Sequence, residues 1–386
     1  VLGQHLKAAG HDVSIIASNV NYHSRSSAED LSHKYRAKIE DFDGVTFLWL
    51  TVPVYQSMIR RVLSMVVFAA RAVLGRSTSY LAKPDIIVGS TPHPFAALAA
   101  YFLSWRYKTK FILEVRDIWP ESLIELGGYA KFNPFILLIS AMEKFLLRRA
   151  DRVITLLPKA GEDLERKGAA SDKIAWIPNG VDTALFGQPV APARTEAFKI
   201  IYAGAHGVAN GLDVAIDAAK ELQAKGDETI RFIFVGDGTQ KDVLKRKAES
   251  LSLDNVEFRD SVPKQQIPDV LSEANACFMH LRDMPVFRWG VSPNKLFDYM
   301  AAARPIIFAV NTSADPVEIA GAGLSIVPEN PSALADAALS LSELSDEELE
   351  AMGRRGREYV LKHHTEQVLG ARFLELLEGL SREGAA

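Results

Sequence analysis

The 386-residue sequence predicts an α/β protein built from two successive parallel-sheet domains. Three observations carry that expectation. Short apolar runs alternate with amphipathic stretches along nearly the whole chain, the pattern of strands joined by crossover helices. The alternation breaks once, at the unpatterned, Pro- and Ala-rich segment Gln188-Pro-Val-Ala-Pro-Ala-Arg-Thr195, which reads as a linker. The composition, 48% hydrophobic and 24% charged, is that of an ordinary globular protein at a length that suits two domains.

Before the linker, strands are expected at Val13–Ser18, Gly44–Leu50, Asp85–Gly89, Lys110–Val115 and Arg152–Thr155, with Lys173–Ile177 closing the half. Helices are expected at Met58–Leu74, Pro94–Trp105 and Pro134–Arg149. Val1–Ala9 reads as an amphipathic helix stopped by Gly10-His11. A parallel sheet needs a strand ahead of such a helix, so a first strand and its loop are expected upstream of Val1. After the linker, strands are expected at Lys199–Gly204, Arg231–Gly236, Val256–Phe258, Ala276–His280, Pro305–Ala309 and Leu324–Val327. Two long helices, Asp346–His364 and Glu366–Arg382, follow.

A net charge of -4 gives no general attraction to nucleic acid. The single cysteine, Cys277, rules out a disulfide framework within the chain and points to a reduced, cytosolic setting. It lies in the apolar run Ala276–Met279, where it reads as a small core residue. The segment Gln56–Arg76 is apolar on much of its surface, with Arg60, Arg61, Arg71 and Arg76 and no acid. It is too interrupted to span a bilayer. It reads either as a helix lying on an anionic membrane or as a packed helix with solvated arginines. Asp41-Phe42-Asp43 resembles a metal-binding triplet but precedes a first-domain strand, so it reads as a turn and no metal is expected.

Two glycine-rich turns end successive strands of the second domain. The first is Gly204-Ala205-His206-Gly207 with Asn210-Gly211. The second is Gly236-Asp237-Gly238, followed by Lys241. Glycine lets a backbone approach a phosphate, and helix N-termini favour negative charge. The richest segment runs from Phe287 to Pro305. There Ser292-Pro293 opens a helix from Asn294 to about Ala303, Lys295 adds a cation to its dipole, and Asp298 lies one turn in, placed to accept from a ribose diol. The plainer reading is an N-capped core helix. In the first domain, Asp117 follows the strand Lys110–Val115, at the strand end where open α/β sheets bind ligands. It could take a proton from an acceptor hydroxyl, or simply cap the loop and pair with Arg116. His93 ends another strand and reads as an acceptor or sugar contact, or as a satisfied loop histidine.

Taken in order, Glu114-Val-Arg-Asp-Ile-Trp-Pro-Glu-Ser122, Ile177-Pro-Asn-Gly-Val-Asp-Thr-Ala-Leu-Phe186, Tyr202-Ala-Gly-Ala-His-Gly207, Phe234-Val-Gly-Asp-Gly238 and Ser292-Pro-Asn-Lys-Leu-Phe-Asp-Tyr-Met-Ala301 resemble glycosyltransferase family 4. The resemblance is closest to its bacterial O-antigen and exopolysaccharide branch, which includes fucosamine transferases. It implies the GT-B fold: an α/β protein of two facing Rossmann-like domains with a deep cleft, its C-terminal helix crossing back. The domains are expected at residues 1–187 with the return of 366–386, a linker at 188–195, and 196–365.

The resemblance further implies a retaining transfer from a nucleoside-diphosphate sugar to a polyprenyl-linked glycan, in lipopolysaccharide or exopolysaccharide biosynthesis. The enzyme would lie peripherally on the inner face of the membrane, with no cofactor. Donor contacts are expected from Gly204, His206, Gly207, Asn210, Gly236, Gly238, Lys241, Ser292, Asn294, Lys295 and Asp298. The acceptor or sugar side falls to His93, Arg116, Asp117 and Gly290. Asp117, Lys295 and Asp298 are the catalytic candidates. The family's first donor-site acid falls on Gly290, its donor-loop Arg and Lys fall on Ala205 and Asn210, and its hexose-contacting His falls on Arg116. These departures keep a sugar-nucleotide epimerase or a non-catalytic subunit of the same fold as alternatives.

Overall fold

The computed structural model describes residues 2–20, 37–91, 93–188 and 197–383. It contains two compact units, Val1–Ile177 with Leu369–Ala386, and Pro178–Val368. The linker segment read at 188–195 lies outside the described residues except for Gln188.

The first unit runs α1 (Leu2–Ala8), β1 (Ser14–Ser18), β2 (Ala37–Phe42), β3 (Val45–Leu50), α2 (Met58–Leu74), β4 (Ile86–Ser90), α3 (Pro94–Tyr107), β5 (Lys110–Val115), α4 (Glu121–Glu125), α5 (Pro134–Arg149), β6 (Arg152–Thr155), α6 (Gly161–Lys167) and β7 (Ile174–Trp176). Its strands form two sheets, β1-β3-β2 and β4-β5-β6-β7. The second is parallel throughout. The first departs from an all-parallel expectation, because β2 pairs antiparallel with β3. Asp43 and Gly44 join them with φ of 52° and 81°, and the Asp41 carboxylate accepts from the Gly44 N–H at 2.9 Å. Two successive positive φ angles make the hairpin turn whose twist suits the strands, so the acidic triplet belongs to a hairpin.

Helices α2 and α3 cover Leu48 and Leu50 of β3 through Phe68, Ala72, Ala99 and Leu103. On the other side, Leu6 of α1 packs with Ile112, Ile154 and Ile177 and with Leu369, Phe373 and Leu380 of the final helix.

The second unit runs β8 (Phe198–Ala203), α7 (Asp213–Ala224), β9 (Ile230–Val235), α8 (Lys241–Ser250), β10 (Val256–Arg259), α9 (Ile267–Ser272), β11 (Ala276–His280), α10 (Asn294–Ala301), β12 (Ile306–Ala309), α11 (Pro316–Ala320), β13 (Gly323–Ser325), α12 (Pro331–Ser342), α13 (Asp346–His363) and α14 (Glu366–Glu383), whose later residues join the first unit. The order β10-β9-β8-β11-β12-β13 is parallel throughout. It is the doubly wound dinucleotide-binding order, with its reversal between β8 and β11. The strand period of two splits the core. Ile201, Ala203, Cys277 and Met279 face one helical layer, while Ile200, Tyr202, Ala276 and Phe278 face the other. Cys277 is buried, and burial raises its thiol well above the usual range.

Candidate active site

The reversal between β8 and β11 places the loops after these two strands side by side, and open α/β sheets bind ligands at such a point. The loop after β8 holds Gly204 to Asn210. The connection after β11 leads to α10, whose cap residue Pro293 offers no side-chain hydrogen bond to the free N–H groups behind it. Lys295, on the first turn of α10, carries its ammonium back to the β8 loop. Nζ donates to the Tyr202 hydroxyl at 2.5 Å and to Asn210 Oδ1 at 2.7 Å, and lies 4.4 Å from the Tyr202 ring centroid. A Cβ on Gly204 would stand 3.3 Å from this nitrogen, so the glycine leaves the ammonium room beside the backbone. Among the described residues no carboxylate pairs with Lys295. Burial without an anion pushes its ammonium down to about 7.

The second glycine turn braces the first. Gly236 and Gly238 have φ of 146° and 154°. A Cβ on Gly236 would overlap the Gly204 carbonyl, and one on Gly238 would overlap the backbone of His206. The His206 N–H donates to the Asp237 carbonyl at 2.8 Å, and the Gln240 N–H to the His206 carbonyl at 3.0 Å. The glycines are thus needed for contact between two loops, whatever they offer a phosphate.

Several expected donor contacts are occupied otherwise. His206 is fully buried against Tyr202, Phe234 and Phe258, so its ring meets no solvent-borne ligand. Neither ring nitrogen has a hydrogen-bond partner among the described residues, and burial, reinforced by Lys241, pushes its pKa down to about 4. Lys241 donates to the Arg259 carbonyl at 3.0 Å and pairs with Asp260 at 2.8 Å. It helps line a depression of about 350 Å³ with Asp237, Lys245 and Ser261. The Ser292 hydroxyl accepts from the Asn179 N–H at 2.8 Å, and the Ser292 carbonyl accepts from the Asn179 amide at 2.6 Å. Ser292 therefore anchors the approach to α10 instead of capping it. Asn294 is exposed at the helix start and Gly207 caps a short 3-10 turn.

Asp298 is buried and gripped by Lys264, with both carboxylate oxygens 2.5 Å from Nζ. Burial raises its pKa, and Lys264 opposes the rise. Gly290 has φ of 102°, so the backbone itself disfavours the acid that the family resemblance would place there.

In the first unit, Asp117 follows β5 in an exposed loop. Its outer atoms are open, yet the protein packed around it raises its carboxyl, and Arg116 opposes that. Arg116 approaches Glu114 at 3.8 Å. His93 caps α3, its Nδ1 accepting from the Ala96 N–H at 2.9 Å, and burial lowers its pKa to about 4. Only Nε2 is left for an acceptor contact. Lys167 was not among the expected residues. It holds the loop beyond Asp117 by donating to the Trp119 carbonyl and Glu121 at 2.8 Å, with Glu143 and Asp163 at 3.0 Å. Burial pushes Glu143 up to about 7 against the pull of Lys167.

Among the described residues no group of three or more His, Cys, Asp or Glu side chains is arranged to hold a metal.

The second unit thus has a doubly wound sheet with a cationic helix start, lacking a side-chain cap, beside its switch point. Comparison with known proteins narrows the class. Residues 1–180 match the Glycosyl transferase 4-like domain family, and residues 197–343 match the Glycosyl transferases group 1 family. The chain belongs to these glycosyltransferases and is an enzyme of that class. It is 26% identical over 349 residues to an Escherichia coli K12 protein named as a colanic acid biosynthesis glycosyl transferase, WcaI, covering 85% of this chain and 84% of the relative. It is 23% identical over 332 residues to a Pseudomonas aeruginosa protein named as a glycosyltransferase, WbjE, covering 82% and 80%.

Among solved structures it superposes on sucrose-phosphate synthase from Thermosynechococcus elongatus with a TM-score of 0.72 at 18% identity, covering 100% of this chain and 92% of that one. It superposes on Anabaena HepE, solved with UDP, with a TM-score of 0.67 at 14% identity, covering 96% and 100%. The fold is the glycosyltransferase GT-B fold.

Proposed function

We propose that the protein transfers a sugar, with retention of configuration, from a nucleoside-diphosphate sugar to a polyprenyl-linked glycan during assembly of a surface polysaccharide. One observation carries the donor assignment: the half-buried Lys295 holds its ammonium among neutral oxygen partners, with no carboxylate paired to it among the described residues, at the uncapped start of α10. Such a group is stabilised when an anion arrives, and a diphosphate leaving group supplies one. HepE, of the same fold, was solved with UDP. The relative named for colanic acid biosynthesis supports an exopolysaccharide as the product. Asp298, one turn along α10 and held by Lys264, is our candidate for the ribose, and Asp117 for the acceptor hydroxyl.

The test is calorimetry with UDP, GDP and dTDP, followed by transfer of radiolabelled sugar from the matching donor to polyprenyl-linked acceptors, with the anomeric configuration of the product read by NMR. Micromolar binding of one diphosphate and a product of retained configuration are expected. Failure of every diphosphate to bind would sink the proposal.

The ammonium and the helix dipole can stabilise the leaving diphosphate without a metal ion. Transfer should therefore persist in excess EDTA. Loss of turnover in EDTA, restored by magnesium or manganese, would overturn this.

Acting on a polyprenyl substrate calls for contact with the membrane. No helix of the described residues is long and apolar enough to cross one, so the contact we propose is peripheral, at the cytoplasmic face. Helix α2 supplies an exposed apolar stripe, with Ile59 83% and Leu74 82% exposed and Leu63 and Val66 between them. Its arginines are fewer for this purpose than the sequence suggested, because Arg71 donates to the Thr51 carbonyl.

A further inference from the structure

The exposed apolar and basic surface of α2 continues onto its neighbours. Helix α3 packs between α2 and α5 on one side of the first unit. The three helices contain one carboxylate, Glu143, and it is buried against Lys167. Their exposed charges are all positive, Arg60, Arg106, Lys144, Arg148 and Arg149 among them. Between these lie large apolar side chains that face outward. Trp105 is 75% exposed, Phe132 just before α5 is 82% exposed, and Leu137 and Leu138 are about half exposed.

The positive charges at the last turns of α3 and α5 suit the helix dipoles and would be unremarkable alone. The dipole gives no reason for the aromatic and leucine side chains beside them. Interfacial aromatic rings next to arginines, with no exposed acid, suit the boundary between head groups and acyl chains.

At the C-terminal ends of α3 and α5 this surface contains a pocket of about 580 Å³, whose lining includes Tyr101, Trp105, Arg106, Lys108, Arg149 and Asp151. Tyr101 stacks edge-on against Phe145 at 5.0 Å, and the Arg149 guanidinium lies 5.7 Å from the Phe145 centroid. Arg106 donates to the Val73 carbonyl at 3.0 Å, which ties this end of α3 to the end of α2. Asp151 is the one acid in the lining, and it is already satisfied: it pairs with Lys110 at 3.3 Å and accepts from the Phe111 N–H at 2.9 Å. Lys108 and Arg149 are exposed and have no ion pair with any described carboxylate.

We propose that this pocket binds the phosphate of an anionic membrane lipid, with Lys108 and Arg149 as its cationic rim and Trp105 at the acyl boundary, so that α2, α3 and α5 together form the membrane-binding face. The proposal rests on the peripheral reading given above and assigns it a specific site. Exposed cations near an anionic surface each strengthen binding severalfold at low salt, and screening weakens them.

The experiment is co-flotation with vesicles of phosphatidylcholine alone and of phosphatidylcholine mixed with phosphatidylglycerol. The proteins are the wild type, a Lys108→Glu/Arg149→Glu double variant, a Lys108→Arg/Arg149→Lys control that keeps the charges, and Trp105→Ser. Wild type should float with anionic vesicles and hardly with neutral ones. The Glu variant should bind at least tenfold more weakly, the charge-keeping control should bind as wild type does, and Trp105→Ser should be weakened severalfold even at high salt. Wild-type binding by the Glu variant, while Ile59→Ser on α2 abolishes it, would overturn the pocket and leave the α2 contact standing. No wild-type flotation would overturn both. Self-association without vesicles, lost in Trp105→Ser, would show that a second copy of the chain covers this face and would equally overturn the proposal.

Discussion

Replacing Lys295 with Ala should weaken binding of the cognate nucleoside diphosphate by about 10- to 150-fold, the worth of one charge-assisted bond of roughly 1.5–3 kcal/mol. The loss in kcat/KM should be greater, on the order of 10²–10³, because charge builds on the diphosphate as the glycosidic bond breaks. The variant should fold normally, since among the described residues the Lys295 ammonium meets only the Tyr202 hydroxyl and ring and Asn210 Oδ1 and closes no ion pair.

The pH dependence gives an independent reading of the same nitrogen. In the empty site its pKa is about 7, and a bound diphosphate stabilises the charged form and raises it. Binding at pH 8 should therefore take up a proton, and affinity should fall as pH rises above 7. Calorimetry in buffers of different ionisation enthalpy measures that uptake. Equal affinity and equal proton uptake in wild type and Lys295→Ala would remove the ammonium from the site.

His206→Leu should stabilise the protein, and more so in acid. In the folded protein the His206 pKa is about 4, below its ordinary 6.5. Above pH 6.5 both states hold a neutral ring, and this group adds no pH dependence. Below 6.5 the unfolded chain takes up a proton that the folded ring refuses until about pH 4. Stability is therefore lost through that window at about 1.4 kcal/mol per pH unit, roughly 3 kcal/mol in all. Leucine fills a similar volume among Tyr202, Phe234 and Phe258 without two unpartnered nitrogens, so it should also gain about 1 kcal/mol or more at neutral pH. Urea melts at pH 7.5 and pH 5 compare the two proteins directly. His93 and His280 also have lowered pKa values, so the informative quantity is the difference between the two slopes. Parallel curves would show that His206 is already protonated or hydrated in the native state.

Much of the fold is legible in the sequence because its signals are local. Strands Lys110–Val115, Arg152–Thr155 and Ala276–His280 begin and end where the apolar runs do, and helices Met58–Leu74 and Pro134–Arg149 follow from their spacing and flanking residues. Strand β2 is different. Ala37–Phe42 carries Lys38, Glu40 and Asp41 on a sheet edge and buries little, so its apolar signal is weak and only the pairing with β3 reveals it.

At the site, the sequence by itself determined the glycine turns, the start of a helix near Asn294, the cation at Lys295 and the acid at Asp298. Each depends on residues within a turn or two of one another. The tertiary structure alone decided what those groups do. Tyr202 reads as a core aromatic of β8, yet its hydroxyl meets an ammonium 93 positions away. Lys264 sits on Asp298, Asn179 takes the Ser292 hydroxyl, and Lys241 turns to Asp260. His206, in the middle of a turn suited to phosphate, is sealed beneath it. The reason is physical. Local backbone preference and apolar period fix where strands and helices begin, but a polar side chain's partner and solvation depend on which distant loops the sheet order brings together. Here the reversal between β8 and β11 brings Lys295 to a place with oxygen ligands and no counter-charge.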